Sequence, residues 1–179
     1  MKSKILALSA ISAGFITIAL TIGSYLSFAD IFCIVVSSVF VIMPLYYNSY
    51  LGAFLAYLAG GALGVLFSFS TILTSFVLPS YFAFFGVYPI VKNIMKDKSL
   101  NKYLSVAIGL IWCVLTIYGV YFYYTAIMGF SLADLPRLLR KYILIFIAPL
   151  SLLFFFIYDR FLFASKMILD KYLYRIIKK

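Results

Sequence analysis

Six long apolar runs constrain the fold of this chain more than any other feature. A helix needs about 20 mainly apolar residues to cross a hydrocarbon core of roughly 30 Å. The chain is 66% hydrophobic and 11% charged, whereas soluble domains average about 45–50% apolar and 25% charged residues. We therefore expect an all-α integral membrane protein with six transmembrane helices in one bundle, over residues 5–26, 31–47, 51–69, 72–91, 103–128 and 142–163.

The first run also has features of a cleaved signal peptide. Lys2 and Lys4 precede it, and Ser27 and Ala29 resemble a small-x-small cleavage site. The apolar region of a signal peptide is about 7–15 residues long. Because this run is longer, we favour a retained transmembrane helix.

Lysine and arginine cluster in three places. Six crossings put all three clusters on one side of the membrane, which the positive-inside rule assigns to the cytoplasm. Both termini are then cytoplasmic, and the net charge of +10 indicates contact with anionic lipid rather than nucleic acid. The clusters are Lys2 with Lys4, then Lys92, Lys96, Lys98 and Lys102, and the C-terminal residues Arg160, Lys166, Lys171, Arg175, Lys178 and Lys179.

The C-terminal residues 164–179 follow the predicted membrane domain of residues 1–163. They alternate apolar and basic side chains at roughly helical spacing. This pattern predicts a basic amphipathic tail on the anionic leaflet. A docking site for a cytoplasmic partner is the alternative.

The composition excludes several classes of enzyme. The chain has no histidine and no glutamate, so zinc motifs such as H-E-x-x-H cannot form. Cys33 and Cys113 lie inside apolar runs, which favours buried thiols over a disulfide or a metal pair. We expect no catalytic residues, no metal and no cofactor. The five aspartates lie near predicted helix ends, which disfavours a paired aspartyl site: Asp30, Asp97, Asp134, Asp159 and Asp170.

Small residues recur at four-residue spacing on two of the predicted helices. Such residues share one helix face and let two backbones approach closely in lipid, where apolar burial adds little. Two interpretations remain open, internal packing or docking on another membrane protein. The residues are Gly52, Ala56, Gly60 and Gly64 on the third helix, and Ser9, Ala10, Ala13 and Gly14 on the first.

Proline and aromatic residues mark the later helices. Pro44, Pro79, Pro89 and Pro149 each remove a backbone donor, so they either open a cavity between helices or adjust their packing. The stretch YGVYFYYTAIMGF, residues 118–130, is denser in aromatic rings than an interfacial belt requires. It could line an aromatic pocket, or the rings could fill the core or face lipid.

The layout resembles the substrate-binding S components of energy-coupling factor (ECF) transporters. That family carries an A-x-x-x-A motif on its first helix, which packs against the coupling T component. In SAISAG, Ala10 and Gly14 match this motif with one glycine substitution. FFGVYPIVK, residues 84–92, also resembles a segment of small membrane proteins of Gram-positive bacteria that are grouped with S components.

The resemblance implies a substrate-capture subunit in a bacterial cell membrane, with a T component and its ATPases as partners. Helices four to six and the outer loops would bind a small nutrient. Three cations at the mouth, Arg137, Arg140 and Lys141, imply an anionic or phosphorylated substrate. The rings expected to stack on that substrate are Trp112, Tyr121, Tyr123 and Tyr124.

Two alternatives remain beside this interpretation. The cationic segment could be a loop helix that lies on lipid headgroups. The chain also resembles MreD-type scaffolds of envelope assembly in size and helix count, which would make it a non-enzymatic structural protein.

Overall fold

The computed structural model describes residues 2–71, 75–127 and 137–177, and these residues form helices without any β-strand. Short 3-10 helices cover Met43–Tyr47 and Phe69–Thr71, and a π-helix covers Tyr81–Phe85. The α-helices are α1 Lys2–Tyr25, α2 Asp30–Ile42, α3 Tyr50–Phe67, α4 Val77–Ser80, α5 Tyr88–Asp97, α6 Lys102–Ile127 and α7 Arg137–Ile177.

Five helical stretches of the described chain are long and apolar enough to cross a membrane. Large hydrophobic side chains cover their outer surfaces, with Phe32 69% exposed and Leu66 68% exposed. Such surfaces require a lipid environment. The chain is therefore a multi-pass, all-α membrane protein. The stretches are Ser3–Tyr25, Asp30–Tyr47, Tyr50–Phe67, Tyr103–Tyr123 and Ile147–Tyr172.

The fourth apolar run differs from the regular helix expected over residues 72–91. Residues 72–74 lie outside the described part of the chain. From Val77 the path is helical but interrupted, because α4, the π-helix and α5 follow one another with a turn at Gly86 and Val87. None of these pieces is long enough to count among the five stretches.

The prolines account for the irregular segments. Pro44 lies at the start of the 3-10 helix Met43–Tyr47, where α2 ends. Pro79 and Pro89 flank the π-helix, and each removes a backbone donor that a regular helix would use. Pro149, by contrast, lies inside α7 without ending it. α7 also continues through residue 163, so the tail expected as a separate segment extends this helix as far as Ile177.

α1 and α3 run parallel and pack along their whole length. A Cβ added at Gly60 would lie 2.6 Å from Cγ2 of Ile16, and one added at Gly64 would lie 3.2 Å from Cβ of Leu20. The hydroxyl of Thr17 on α1 shares its hydrogen between the Ala13 carbonyl of its own helix, at 2.9 Å, and the Gly60 carbonyl, at 3.3 Å. We call this contact the α1–α3 seam.

The starts of α1 and α3, the end of α5 and the C-terminal half of α7 meet at one end of the bundle. Gly52 at the start of α3 is adjacent to Ser9, and Tyr50 accepts a hydrogen bond from Asn93 of α5. Asn93 in turn accepts one from Lys166 of α7. We call this the basic end, because these elements carry the predicted lysine clusters. The other end holds the ends of α1 and α3 and the start of α2.

Candidate functional site

We call residues 77–97, which comprise α4, the π-helix and α5, the interrupted helix. It leaves two backbone carbonyls without their usual hydrogen-bond donors. The amide of Gly86 donates to the carbonyl of Tyr81 at 2.9 Å, which is π-type pairing five residues back. The carbonyl of Phe82 therefore loses the amide that an α-helix would supply. The carbonyl of Phe85 loses its donor as well, since residue 89 is a proline.

Two tyrosines from other helices donate to these carbonyls. The hydroxyl of Tyr57 on α3 donates to Phe82 at 3.1 Å, and that of Tyr158 on α7 donates to Phe85 at 3.4 Å. A side chain at Gly86 would clash with the ring of Tyr57, so glycine is required for this approach. Neighbouring helices thus satisfy the interrupted backbone, as membrane interiors require.

Aromatic rings fill the space between α5, α6 and α7. Phe84 stacks on Tyr88 with ring centroids 4.8 Å apart and meets Trp112 of α6 edge-on at 5.9 Å. Tyr88 also meets Phe155 of α7 at 5.7 Å. The rings of Phe84, Tyr88 and Phe155 are buried, so the interrupted helix forms part of the core of the bundle.

A polar cluster lies beside these rings, toward the basic end. Tyr88 donates to Oδ1 of Asp159 at 2.6 Å, and the ammonium of Lys92 lies 2.5 Å from the same oxygen. The side chains of Lys92 and Asp159 are 30% and 20% exposed. Tyr88 and Lys92 share one face of α5 because they are one helical turn apart. We call these three residues the Tyr88–Lys92–Asp159 cluster.

A second set of hydrogen bonds extends the cluster to α3. Asn93 accepts from the ammonium of Lys166 and donates to the hydroxyl of Tyr50 at 3.1 Å. Tyr50 donates to the carboxylate of Asp97. Together the two sets of bonds tie α3, α5 and α7 to one another at the basic end.

The Tyr88–Lys92–Asp159 cluster carries one positive and one negative charge, and its bonds connect α5 to α7. The Asp159 carboxylate is already neutralised by Lys92, and it accepts a hydrogen bond from Tyr88. A metal cation would be repelled by the ammonium that occupies the same oxygen. The arrangement therefore holds helices together rather than presenting a nucleophile and a base.

An open cleft of about 450 Å³ lies at the basic end, between the turn after α2 and the C-terminal half of α7. Two cations and one carboxylate line it together with apolar and amide groups. The residues are Leu45, Tyr46, Asn48, Lys166, Asp170 and Lys171.

The small residues expected to pack against a partner divide into two groups. On α3, all four are buried, because α1 occupies their face of the helix. Ser9 and Ala13 of α1 are buried as well. Only Ala10 and Gly14 are exposed, and a Cβ at Gly14 would meet no atom within 4 Å. Of the two interpretations, the contacts support internal packing for Gly52, Ala56, Gly60, Gly64, Ser9 and Ala13.

Of the residues expected to bind substrate, the structure describes the side chains of Trp112, Tyr121 and Tyr123. Trp112 packs on Phe84, and Tyr121 lies about 13 Å further along α6 at 1.5 Å per residue. Tyr123 is half-buried. The side chains of four further residues lie outside the described part of the chain: Tyr124, Arg137, Arg140 and Lys141.

The Tyr88–Lys92–Asp159 cluster was not expected from the sequence. The sequence pattern places Lys92 in a charge cluster that sets membrane orientation and Asp159 near a helix end. A signal was nevertheless present, because Tyr88 and Lys92 are four residues apart and Asp159 directly follows a long apolar run. Ionisable residues at the edge of such a run usually have a partner inside the bundle.

No protein family, curated protein or solved structure matches this sequence.

Proposed function

We propose that the chain is the substrate-capture subunit of an ECF-type transporter in a bacterial cell membrane. Its partners are a coupling membrane subunit and the ATPases that drive it, and its substrate is a small anionic nutrient. The observation that carries this proposal is the open face of α1, where Ala10 and Gly14 have been left uncovered by the rest of the chain.

Both faces of α1 carry small residues, but only one face is used internally. Ser9 and Ala13 turn toward α3, whereas Ala10 and Gly14 turn outward. Glycine disfavours a helix by about 1 kcal/mol relative to alanine. Gly14, unlike the equally open Gly119, lies one turn from a second uncovered small residue, Ala10, so this pair suggests another role. A close backbone approach by a second membrane helix supplies such a role.

The helix that carries the open face is rigidly supported from behind. Ile16 is fully buried in the α1–α3 seam, and Thr17 bonds across it to Gly60. A partner that docks on α1 therefore contacts a helix that is packed from behind against the rest of the bundle.

The interrupted helix supplies the sixth crossing of this proposal. Residues 77–97 run from the far end of the bundle, where Val77 lies beside Gly23, to the basic end, where Asn93 bonds to Tyr50. An even number of crossings puts both termini on one side. The positive-inside rule then assigns the basic end to the cytoplasm.

In this proposal the substrate binds at the end opposite the basic end. The first turns of α7 carry three cations toward this end. Arg137, Arg140 and Lys141 are three and four positions apart in this helix, so their positions share one face. Guanidinium groups pair well with carboxylate or phosphate, which supports an anionic substrate.

The test is Gly14→Leu against the matched control Gly119→Leu. Both glycines lie on apolar helices, and neither would bring a Cβ within 4 Å of another atom. We expect the leucine at position 14 to abolish co-purification with an ECF module of the same host and to abolish nutrient uptake. The leucine at position 119 should change neither.

Two results would contradict the proposal. One is a wild-type chain that forms no stable complex with the module. The other is normal uptake by the Gly14→Leu variant. A deletion strain with altered cell shape and normal nutrient uptake would instead support the scaffold alternative.

A further inference from the structure

Four buried polar atoms lack hydrogen-bond partners in the described part of the chain: Oγ1 of Thr21, Oγ of Ser24, Oδ1 of Asp30 and Oγ of Ser68. Asp30 and Ser24 are each 8% exposed, and Ser68 is completely buried. Buried polar groups are normally paired, so a group of unpaired ones indicates something that is missing from the protein alone. All four lie near the end of the bundle opposite the basic end.

Other hydroxyls of α1 are satisfied in the ordinary way. Ser9, Ser12 and Thr17 each donate to the backbone carbonyl one turn earlier, at 2.8–2.9 Å. Ser24 and Thr21 lie on the same helix and make no such bond. On α1, the unpaired hydroxyls are thus confined to its last turns.

The register of the α1–α3 seam brings Ser24 and Ser68 together. Leu20 is adjacent to Gly64, and Ser24 and Ser68 each follow one turn later on parallel helices. Tyr25 donates to the carbonyl of Phe67 at 3.1 Å, so the two helix ends are adjacent.

Asp30 joins this pair from α2. A Cβ at Gly23 would lie 2.8 Å from Cβ of Cys33, which places α2 against the end of α1. Asp30 lies three residues before Cys33 on the same face of α2. Asp30 therefore lies at the same end of the bundle as Ser24, near the C-terminal end of α1.

The electrostatics of α1, α2 and α3 at this end favour a cation. The C-termini of α1 and α3 carry the negative ends of two helix dipoles. The sequence contains no lysine or arginine between Lys4 and Lys92, so α1, α2 and α3 supply no positive side chain to Asp30. The cations that the topology brings toward this end belong to the first turns of α7. The N-terminus of α2 is the one positive end that these three helices contribute.

We propose that Asp30, Ser24 and Ser68 form a binding site for an alkali-metal cation, with Thr21 and helix-end carbonyls as further oxygen donors. Carboxylate, hydroxyl and carbonyl oxygens suit hard cations, and helix C-termini coordinate Na⁺ in other transporters. A single carboxylate balances a single positive charge, whereas Ca²⁺ is usually held by several carboxylates. The site goes beyond the proposed function, since partner docking on α1 does not require an ion.

The first experiment uses the purified full-length chain in nanodiscs. Thermal unfolding is followed in NaCl, KCl, CaCl₂ and choline chloride at equal ionic strength, and ²²Na⁺ binding is measured directly. A ligand that binds only the folded state raises the unfolding midpoint with its concentration. We expect a rise in NaCl or KCl over choline chloride that saturates, together with saturable ²²Na⁺ binding.

Three results would contradict the proposed cation site. Equal midpoints in all four salts without ²²Na⁺ binding would mean that water, or a cation from the start of α7, satisfies Asp30. A rise in CaCl₂ alone would exclude a monovalent ion. Unchanged ²²Na⁺ binding in an Asp30→Asn variant would place any bound ion elsewhere.

The matched control is Asp97→Asn at the basic end, where Tyr50 donates to the carboxylate. This variant should keep the full salt response, while Asp30→Asn should lose it. If Asp30→Asn does not fold, Ser68→Ala removes one oxygen donor and should weaken ²²Na⁺ binding several-fold. Undiminished binding by Ser68→Ala would count against the site. These results do not depend on Gly14, so the ion site and the docking proposal can fail separately.

Discussion

Gly60→Ala should destabilise the protein, because alanine does not fit in the α1–α3 seam. The new Cβ would lie 2.6 Å from Cγ2 and 2.7 Å from Cβ of Ile16, which is fully buried. Ordinary carbon–carbon contacts are about 3.5–4.0 Å, so the two helices would have to separate by about 1 Å.

The magnitude follows from a comparison with Gly119→Ala. Both substitutions gain about 1 kcal/mol of helix propensity at most. Gly119 has no neighbour within 4 Å of an added Cβ, so its substitution brings that gain alone. Overpacking a core costs about 1–3 kcal/mol. The Gly60→Ala variant should therefore be less stable than Gly119→Ala by about 1–3 kcal/mol.

The assay is reversible unfolding in mixed micelles by titration with sodium dodecyl sulfate. The protein has a single tryptophan, and Trp112 packs against Phe84 in the core, so its fluorescence reports the loss of tertiary packing. Equal free energies of unfolding for the two variants would refute the close approach of α1 and α3.

Two further substitutions test the interrupted helix by the same titration. Asp159→Asn should cost roughly 1–2 kcal/mol, because Lys92 loses its carboxylate at a partly exposed site, where less is lost than the 3–5 kcal/mol of a fully buried pair. The double variant Asp159→Asn/Lys92→Met should recover part of that loss. If its loss of stability equals the sum of the losses of the two single variants, the pairing of Lys92 with Asp159 is contradicted. Tyr158→Phe should cost about 1 kcal/mol by leaving the carbonyl of Phe85 unpaired. In a Pro89→Ala background the restored amide of residue 89 can donate to the Phe85 carbonyl, so Tyr158→Phe should lower the free energy of unfolding by less. An equal loss in both backgrounds would argue against Tyr158 as the donor to this carbonyl.

The α1–α3 seam could be predicted from the sequence only in part. The spacing of Gly52, Gly60 and Gly64 predicts one close-packing face on α3, since the helical period determines which residues align. The first helix offers two small pairs, one with Gly14 and one with Ala13, on different faces. The period cannot choose between them, because the choice depends on where α3 lies.

The interrupted helix lies beyond sequence reasoning for a similar reason. The sequence shows Pro79 and Pro89 and therefore a disturbed segment. It does not show the π-helix between them, because the freed carbonyls are tolerated only where other helices supply donors. Those donors are Tyr57 and Tyr158, which lie 25 and 73 residues away from their acceptors.

By itself, the sequence determined the class of this protein, the small-residue face of α3 and the grouping of positive charge. These are local properties that follow from the length of an apolar run, the helical period and the position of each charge. Only the tertiary structure decided that Lys92 pairs with Asp159, 67 residues away, and that the unpaired oxygens of Ser24, Asp30 and Ser68 gather at one end. The physical reason is that such pairings depend on which helices become neighbours, and the packing of the whole bundle settles that.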